Sequence, residues 1–198
     1  MKKIYLSIIV CLFCSLVAHA EKVIGNYTLS YFNKSYDIEA SEIKNGKFTV
    51  YIQVSAERES TRAMISIESD KLEEFKQSLV QMKEKFEEWS KVATDNNVTE
   101  MSKEMGIKFP STTFCWLSSK WFFSFGQKVN PKFLILDNGN HVALFVKKVK
   151  SSSNEYIDET FYWVFSNSEE FDELISKLDY EKIKSELEKK ESASDLFK

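Results

Sequence analysis

The longest amphipathic pattern in the chain lies between residues 72 and 93. Apolar side chains recur there at alternating spacings of three and four residues, at Leu72, Phe75, Leu79, Met82, Phe86, Trp89 and Ala93. This spacing places them on one face of an α-helix, while polar residues occupy the other faces. A single helix cannot bury so wide a stripe, so we expect it to lie on a β-sheet. Asp70 and Glu73 have the spacing of a capping box, which predicts a helix start at Ser69 or Asp70.

Four stretches before this helix alternate apolar with polar side chains, and each of them predicts a β-strand. They cover residues 27–31, 36–43, 48–54 and 63–67. Asn45-Gly46 lies between the second and third stretches and supplies the two positive-φ positions of a tight hairpin turn. The first half of the chain therefore predicts four strands followed by a helix.

The second half repeats part of this order, namely an Asn-Gly hairpin turn, a loop, a strand and a Ser-capped acidic helix start. Its apolar runs, which predict strands, are residues 112–117, 121–125, 133–136, 142–149 and 156–165. Asn138-Gly139 predicts a second hairpin turn. The sequence Ser-Glu-Glu-Phe-Asp-Glu-Leu at 168–174 predicts a second Ser-capped helix and echoes Ser-Asp-Lys-Leu-Glu-Glu-Phe at 69–75. This recurrence favours an internal duplication.

We therefore predict an α+β protein made of two ββββα-like units, with antiparallel sheets each covered by a helix. The predicted divisions are a signal peptide at 1–20, a first ββββα unit with its connector at 21–105, a second ββββα unit at 106–190 and a frayed tail at 191–198. Within the connector, residues 99–105 predict a short helix closed by Gly106.

Two ββββα units in tandem resemble the Pur-alpha repeat and, more loosely, the Whirly class of single-stranded nucleic-acid binders. The resemblance consists of the order of elements over most of residues 21–190. No motif of those families can be matched to this sequence, so the resemblance implies no binding residues. In its signal peptide and its size the chain also resembles uncharacterised exported proteins of Gram-negative bacteria, and that resemblance implies no activity.

Residues 1–20 have the pattern of a secretory signal peptide. Lys2 and Lys3 form a basic start, residues 6–17 an apolar run, and Ala18-His19-Ala20 a small-residue cleavage site. The apolar run is shorter than the roughly 20 residues that a membrane span needs, and no later stretch approaches that length. We therefore predict no membrane span, cleavage near Ala20, and a periplasmic or secreted protein.

The predicted mature chain has to be stabilised by its core. Removing residues 1–20 takes away two of the 27 basic residues and none of the 30 acidic ones, which leaves a formal net charge of −5. It also leaves Cys115 as the single cysteine and His141 as the single histidine, so no internal disulfide can form. A chain of this length buries enough surface for one globular unit or two small packed halves.

The sequence offers few groups for catalysis. It has no phosphate-binding glycine loop, no G-x-S-x-G and no H-E-x-x-H, so we predict no cofactor and no metal. Cys115 and His141 could form a nucleophile–base pair, which would make the protein a hydrolase. Against this, Cys115 lies between Phe114 and Trp116 in an apolar strand, where a free cysteine usually behaves as a small hydrophobe.

Charge is unevenly distributed along the chain. Residues 106–150 contain seven lysines and one acidic residue, Asp137, a local charge of +6 in an otherwise acidic chain. Aromatic residues are interleaved with these lysines, as on the platforms that bind single-stranded nucleic acid. The candidate binding residues are Lys120, Trp121, Lys128, Lys132, Lys147, Lys148 and Lys150. In the alternative interpretation, the aromatics form the core and the lysines protect strand edges.

These observations favour an exported, non-enzymatic binding or interaction protein with an unknown protein or glycan as partner. The first alternative is a binder of single-stranded nucleic acid or another polyanion through the basic aromatic segment 106–150, although the acidic chain as a whole opposes that approach. The second alternative is the Cys/His hydrolase.

Overall fold

The computed structural model describes residues 21–58 and 61–195, with side chains up to residue 189. The predicted signal peptide at 1–20 and the last three residues of the predicted tail lie outside these residues. The described strands are β1 (Lys22–Leu29), β2 (Lys34–Ala40), β3 (Thr49–Ala56), β4 (Arg62–Glu68), β5 (Met101–Glu104), β6 (Thr112–Leu117), β7 (Trp121–Gln127), β8 (Lys132–Ile135), β9 (His141–Ser151) and β10 (Asn154–Phe165). The described α-helices are α1 (Leu72–Asp95), α2 (Ser168–Lys177) and α3 (Tyr180–Asp195).

The ten described strands form one antiparallel sheet that forks at β3. Strands β1-β2-β3-β4-β6-β7 form the first branch, and strands β5-β8-β9-β10 form the second branch. One edge of β3 pairs with both: Val50, Tyr51 and Ile52 pair with β2, while Ser55 and Ala56 pair with β10. Because β2 and β10 share this edge and cannot occupy the same place, the two branches diverge beyond β3.

The inner faces of the two branches and the stripe of α1 enclose a single hydrophobic core. Phe114 of β6 packs against Phe145 of β9 and Phe161 of β10, with ring centroids 5.6 and 4.8 Å apart. The predicted stripe of α1 does lie on the sheet, where Phe75 meets Trp163 at 6.2 Å. Trp89 at its end is only partly buried.

The mixed α+β class with an antiparallel sheet is confirmed, whereas the arrangement in two ββββα units is not. Strands β6 and β7 come from the predicted second unit, but β6 pairs with β4 of the first unit. Of the other strands of that unit, β8 pairs with β5 from the connector and β10 pairs with β3 of the first unit. The sheet therefore mixes strands from the two predicted units.

Three local predictions differ from the structure. The connector forms strand β5 rather than a helix, because Met101 pairs with Ile135 of β8. Helix α1 starts after a 3-10 turn at Ser69–Lys71 without a side-chain cap, and Asp70 binds Lys47 Nζ at 2.8 Å instead. The side chain that caps α2 is Asn167, one residue before the predicted Ser168.

The described helices bear on two further predictions, the frayed tail and the membrane span. Helix α3 continues to Asp195, so the backbone of residues 191–195 of the predicted tail is helical. None of the described helices combines the length and the apolar character that crossing a membrane requires.

Candidate functional site

A groove of about 750 Å³ opens where the two branches diverge, and we call it the fork groove. Its floor is the end of β3, residues 54–57. One wall is the β1–β2 hairpin, which contributes Tyr31, Phe32, Lys34 and Tyr36. The other wall is the face of the second branch that points away from the core, with Leu136, Val142, Leu144, Val146, Tyr162 and Val164. A groove of this volume falls within the range of small-molecule sites in proteins.

The second-branch wall is apolar because β9 carries apolar side chains on both of its faces. Ala143 and Phe145 point into the core, whereas Leu144 and Val146 alternate with them and point into the fork groove. An antiparallel strand with one solvated face would place polar residues at the second set of positions. Val146 is nonetheless 46% exposed, so this apolar wall is only partly covered by the rest of the chain.

The hairpin wall is shaped by a 3-10 turn at Ser30–Phe32, which ends at Asn33 in the left-handed conformation with φ 48°. The rings of Tyr31 and Phe32 meet edge to face at 5.0 Å, and Tyr31 is 52% exposed. Lys34 Nζ lies 5.2 Å from the centre of the Tyr36 ring. The turn therefore presents two aromatic rings and one cation to the fork groove.

A buried carboxylate, Glu170 of α2, holds this turn in place. Glu170 is 6% exposed; its Oε1 accepts hydrogen bonds from the N–H of Ser30, at 2.8 Å, and from the Ser30 hydroxyl. Its Oε2 accepts the N–H of Ser166 at 2.8 Å, and its own N–H donates to Asn167 Oδ1 at 3.1 Å. This capping box of α2 thus also fixes the hairpin wall of the fork groove.

Three polar side chains of the fork groove, Tyr36, Ser55 and Glu57, form hydrogen bonds within the protein. The hydroxyl groups of Tyr36 and Ser55 form a hydrogen bond. The hydroxyl of Thr160 donates to Glu57 Oε2 at 2.8 Å, and the N–H of Glu57 donates to the Thr160 carbonyl oxygen at 2.9 Å. Lys34 differs from these groups, because its amino group has no carboxylate within ion-pair distance among the described residues.

The structure divides the predicted binding lysines between different surfaces. Lys132, Lys148 and Lys150 lie on the face of the second branch that also forms the fork groove, since Lys132 is paired with Leu144 in register. Lys148 forms an ion pair with Asp158 at 3.2 Å.

Lys147 points to the opposite face of the second branch, where its Nζ donates to the carbonyl oxygen of Lys128 at 3.1 Å. Its partial burial lowers the pKa of its amino group. Lys128 itself is exposed after β7. Neither lysine therefore belongs to the surface that carries Lys132, Lys148 and Lys150.

Lys120 and Trp121 lie elsewhere again, in the β6–β7 hairpin of the first branch. The guanidinium group of Arg62 lies 5.7 Å from the Trp121 ring, and Lys120 Nζ lies 5.5 Å from the Phe122 ring. Most aromatics of the predicted platform are core residues, namely Trp116, Phe122, Phe133 and Phe145. The seven predicted binding residues therefore do not form one contiguous surface.

Cys115 and His141 are not brought into contact. Cys115 is buried on the first branch with its Sγ 3.7 Å from the Met64 carbonyl oxygen, and burial raises the pKa of its thiol. His141 belongs to the second branch, where its ring lies 5.6 Å from that of Phe133. The two side chains thus have different neighbours in different branches.

The sequence patterns did not reveal a carboxylate pair on the first branch. Glu39 is 4% exposed and its Oε1 accepts a hydrogen bond from Arg62. Burial and a hydrogen bond with Glu39 raise the pKa of Glu21 to about 7, although the charge of Arg62 opposes this shift. Glu39 lies opposite Val23 of β1, so the pairing of β1 with β2 brings Glu21, which directly precedes β1, close to Glu39, and no local sequence pattern predicts this contact.

Among residues 21–58 and 61–195, no three His, Cys, Asp or Glu side chains are grouped in a way that could hold a metal ion. Comparisons with protein-family models, with curated proteins and with solved structures found no match to this chain. The fork groove is therefore the candidate site, and its geometry and chemistry have to carry the functional conclusion.

Proposed function

We propose that the protein is a non-enzymatic binding protein that takes an apolar ligand in the fork groove. The observation that carries this proposal is the pair of apolar walls that face each other across an open groove, with Tyr31 52% and Val146 46% exposed. Apolar surface that a fold leaves uncovered commonly marks a binding site. The predicted signal peptide supports a location outside the cytoplasm, in the periplasm or secreted.

The polar groups of the fork groove support binding rather than catalysis. Ser55 and Glu57 are bonded to Tyr36 and Thr160, so their polar atoms stabilise the walls and floor. A nucleophile for catalysis would instead be paired with a base that could take up its proton.

Titration with N-phenyl-1-naphthylamine, a neutral apolar dye that fluoresces in apolar surroundings, tests the proposal. We expect saturable binding to the wild-type protein. Val146→Glu should weaken binding at least about tenfold, because it places a charge on the apolar wall. Val92→Glu is the matched control, since Val92 is a valine of α1 that is 52% exposed and does not line the fork groove. Absent saturable binding, or equal binding by the two variants, would contradict the proposal.

The polyanion alternative stays a hypothesis, supported by Lys132, Lys148 and Lys150 on a common face. If they form a site, single-stranded DNA should bind with an affinity that falls steeply with salt, because each neutralised phosphate releases a counterion. Replacing the three lysines together should then reduce the salt dependence.

We also propose that the chain arose by duplication of a ββββα unit, although its strands do not pair within two such units. This proposal is supported by the two places where a strand leads within a few residues into a helix, β4 into α1 and β10 into α2. Superposition of residues 22–95 on residues 112–177 with matching element order would support the duplication.

A further inference from the structure

We propose that the ligand of the fork groove is an anionic single-chain amphiphile, a fatty-acid-like carboxylate whose chain lies between the apolar walls and whose head group pairs with Lys34. This inference rests on the proposed function of the fork groove, and it adds the chemical class of the ligand.

The apolar wall sets the shape of the ligand. Val142, Leu144 and Val146 follow one another on the groove side of β9, and this row extends over about 13 Å at the usual rise per residue. Val164 lies opposite Leu144 and Tyr162 opposite Val146, so the row is also two strands wide. A long and narrow apolar strip suits an extended chain better than a compact ring system.

Lys34 sets the charge of the head group. It is the only lysine among the described residues that line the fork groove, and its ammonium group has the Tyr36 ring rather than a carboxylate beside it. An ammonium group next to apolar surface, without a counter-charge in the described chain, is ready to receive a carboxylate. The carboxylate of a ligand would gain that partner without displacing an existing ion pair.

The acidic group of the lining is less available to a ligand. One oxygen of Glu57 already accepts the Thr160 hydroxyl, and its backbone N–H is bonded to the same residue. The surrounding face carries Lys132 and Lys150, which form no ion pair with a described residue although Glu104 lies opposite Lys132 and Asp158 opposite Lys150 in register. Lys148 forms its ion pair with Asp158. The preference for an anion therefore rests on Lys34, whose ammonium group has no carboxylate partner among the described residues, whereas Glu57 already has a hydrogen-bond donor.

Three ligands with the same chain separate the contribution of the head group from that of the chain: dodecanoate, dodecan-1-ol and dodecyltrimethylammonium, each used as a monomer to displace the bound dye. We expect dodecanoate to bind best. Lys34→Met, which keeps an unbranched side chain of similar length but removes the charge, should weaken dodecanoate about tenfold and leave dodecan-1-ol unchanged. Lys34→Glu should reverse the order of the two charged ligands. Lys91→Met, which alters an exposed lysine on α1, is the control and should change none of them.

The outcomes distinguish this inference from the proposed function. If the dye binds but the three ligands bind equally, or if Lys34→Met weakens all three alike, the anionic class is wrong while the fork groove remains the site. Binding to vesicles of anionic lipid without binding of monomeric dodecanoate would also overturn it. If neither the dye nor any chain binds, the proposed function itself fails. Circular dichroism of each lysine variant shows whether it has folded.

Discussion

Glu21 and Glu39 lie close together on the first branch, where burial and the neighbouring Glu39 raise the pKa of Glu21. Their neighbours in the first branch are Arg62, Tyr51 and Cys115, and only Arg62 carries a compensating charge. Burial, together with the charge of the nearby Glu21, raises the pKa of Tyr51 to about 12, so this phenol stays neutral at ordinary pH. With one positive charge for two carboxyl groups, the protonated form of Glu21 is the favoured one up to near-neutral pH.

This pair predicts a pH dependence of stability. The pKa of Glu21 is raised from 4.5 to about 7 on folding, so its protonation stabilises the folded state at low pH. That contribution is complete below pH 4.5 and is lost as the pH rises to about 7. After allowance for solvent screening, we expect the loss to be about 1 to 2 kcal/mol.

Glu21→Gln, in a chain that retains Ala20 so that position 21 is not the N-terminus, mimics the protonated carboxyl group and should remove this dependence. Urea unfolding between pH 4.5 and 7 measures it: the free energy of unfolding should fall with pH in the wild-type protein relative to the variant. Parallel pH profiles for the two proteins would show that Glu21 does not titrate in this range.

At the scale of elements, the apolar periodicity predicted most helices and strands, and it failed where pairing decides the structure. Strand β5 has the sequence Met-Ser-Lys-Glu with all four residues exposed, so only its pairing with β8 makes it a strand. The start of α1 differs for a similar reason, because Asp70 is engaged by Lys47 from the neighbouring loop. Both outcomes depend on residues that are distant in sequence.

The contact between α2 and the β1–β2 hairpin is another long-range feature. Glu170 accepts hydrogen bonds from Ser30, and Glu173 accepts the N–H of Thr28 at 2.9 Å. Two carboxylates of α2 thus accept hydrogen bonds from N–H groups of β1 and of the turn that follows it. Because β1 is the edge strand of the first branch, these bonds protect that edge from pairing with other chains. The position of the hairpin wall of the fork groove therefore depends on α2.

Glu170→Ala should therefore affect both stability and binding. It leaves the N–H groups of Ser30 and Ser166 without their acceptors, so we expect a loss of about 2 to 4 kcal/mol in urea unfolding. Dye binding should weaken under conditions where the variant is still folded, because the hairpin wall is released. Glu169→Ala on the exposed side of α2 is the control, with an expected change within about 0.5 kcal/mol. Weakened dye binding without a loss of stability, or a loss of stability without weakened dye binding, would show that Glu170 does not couple stability to binding.

At the scale of the whole molecule, the fork decides where the candidate site lies. The sequence predicted apolar strands in both halves, among them the run at 142–149 that provides the apolar wall of the fork groove. It could not predict that β3 offers one edge to β2 and to β10, since pairing between strands more than 100 residues apart leaves no local pattern. The fork groove results from that shared edge, so the apolar periodicity of the sequence could not predict which residues line it.

The strand pairing also predicts whether the first half of the chain can fold without the second half. If the halves were independent units, a fragment of residues 21–105 would fold alone. In the structure that fragment would lose β6 beside β4, and the stripe of α1 would lose Trp163 and Phe133. The apolar surface that these contacts bury would then be exposed to water. The fragment would therefore lack the free energy needed to offset the conformational entropy that it loses on folding. We therefore expect the fragment to be unfolded by circular dichroism and by amide exchange, and residues 21–198 to unfold in a single cooperative transition. A folded fragment with a cooperative transition of its own would instead support two tandem units and contradict the shared core.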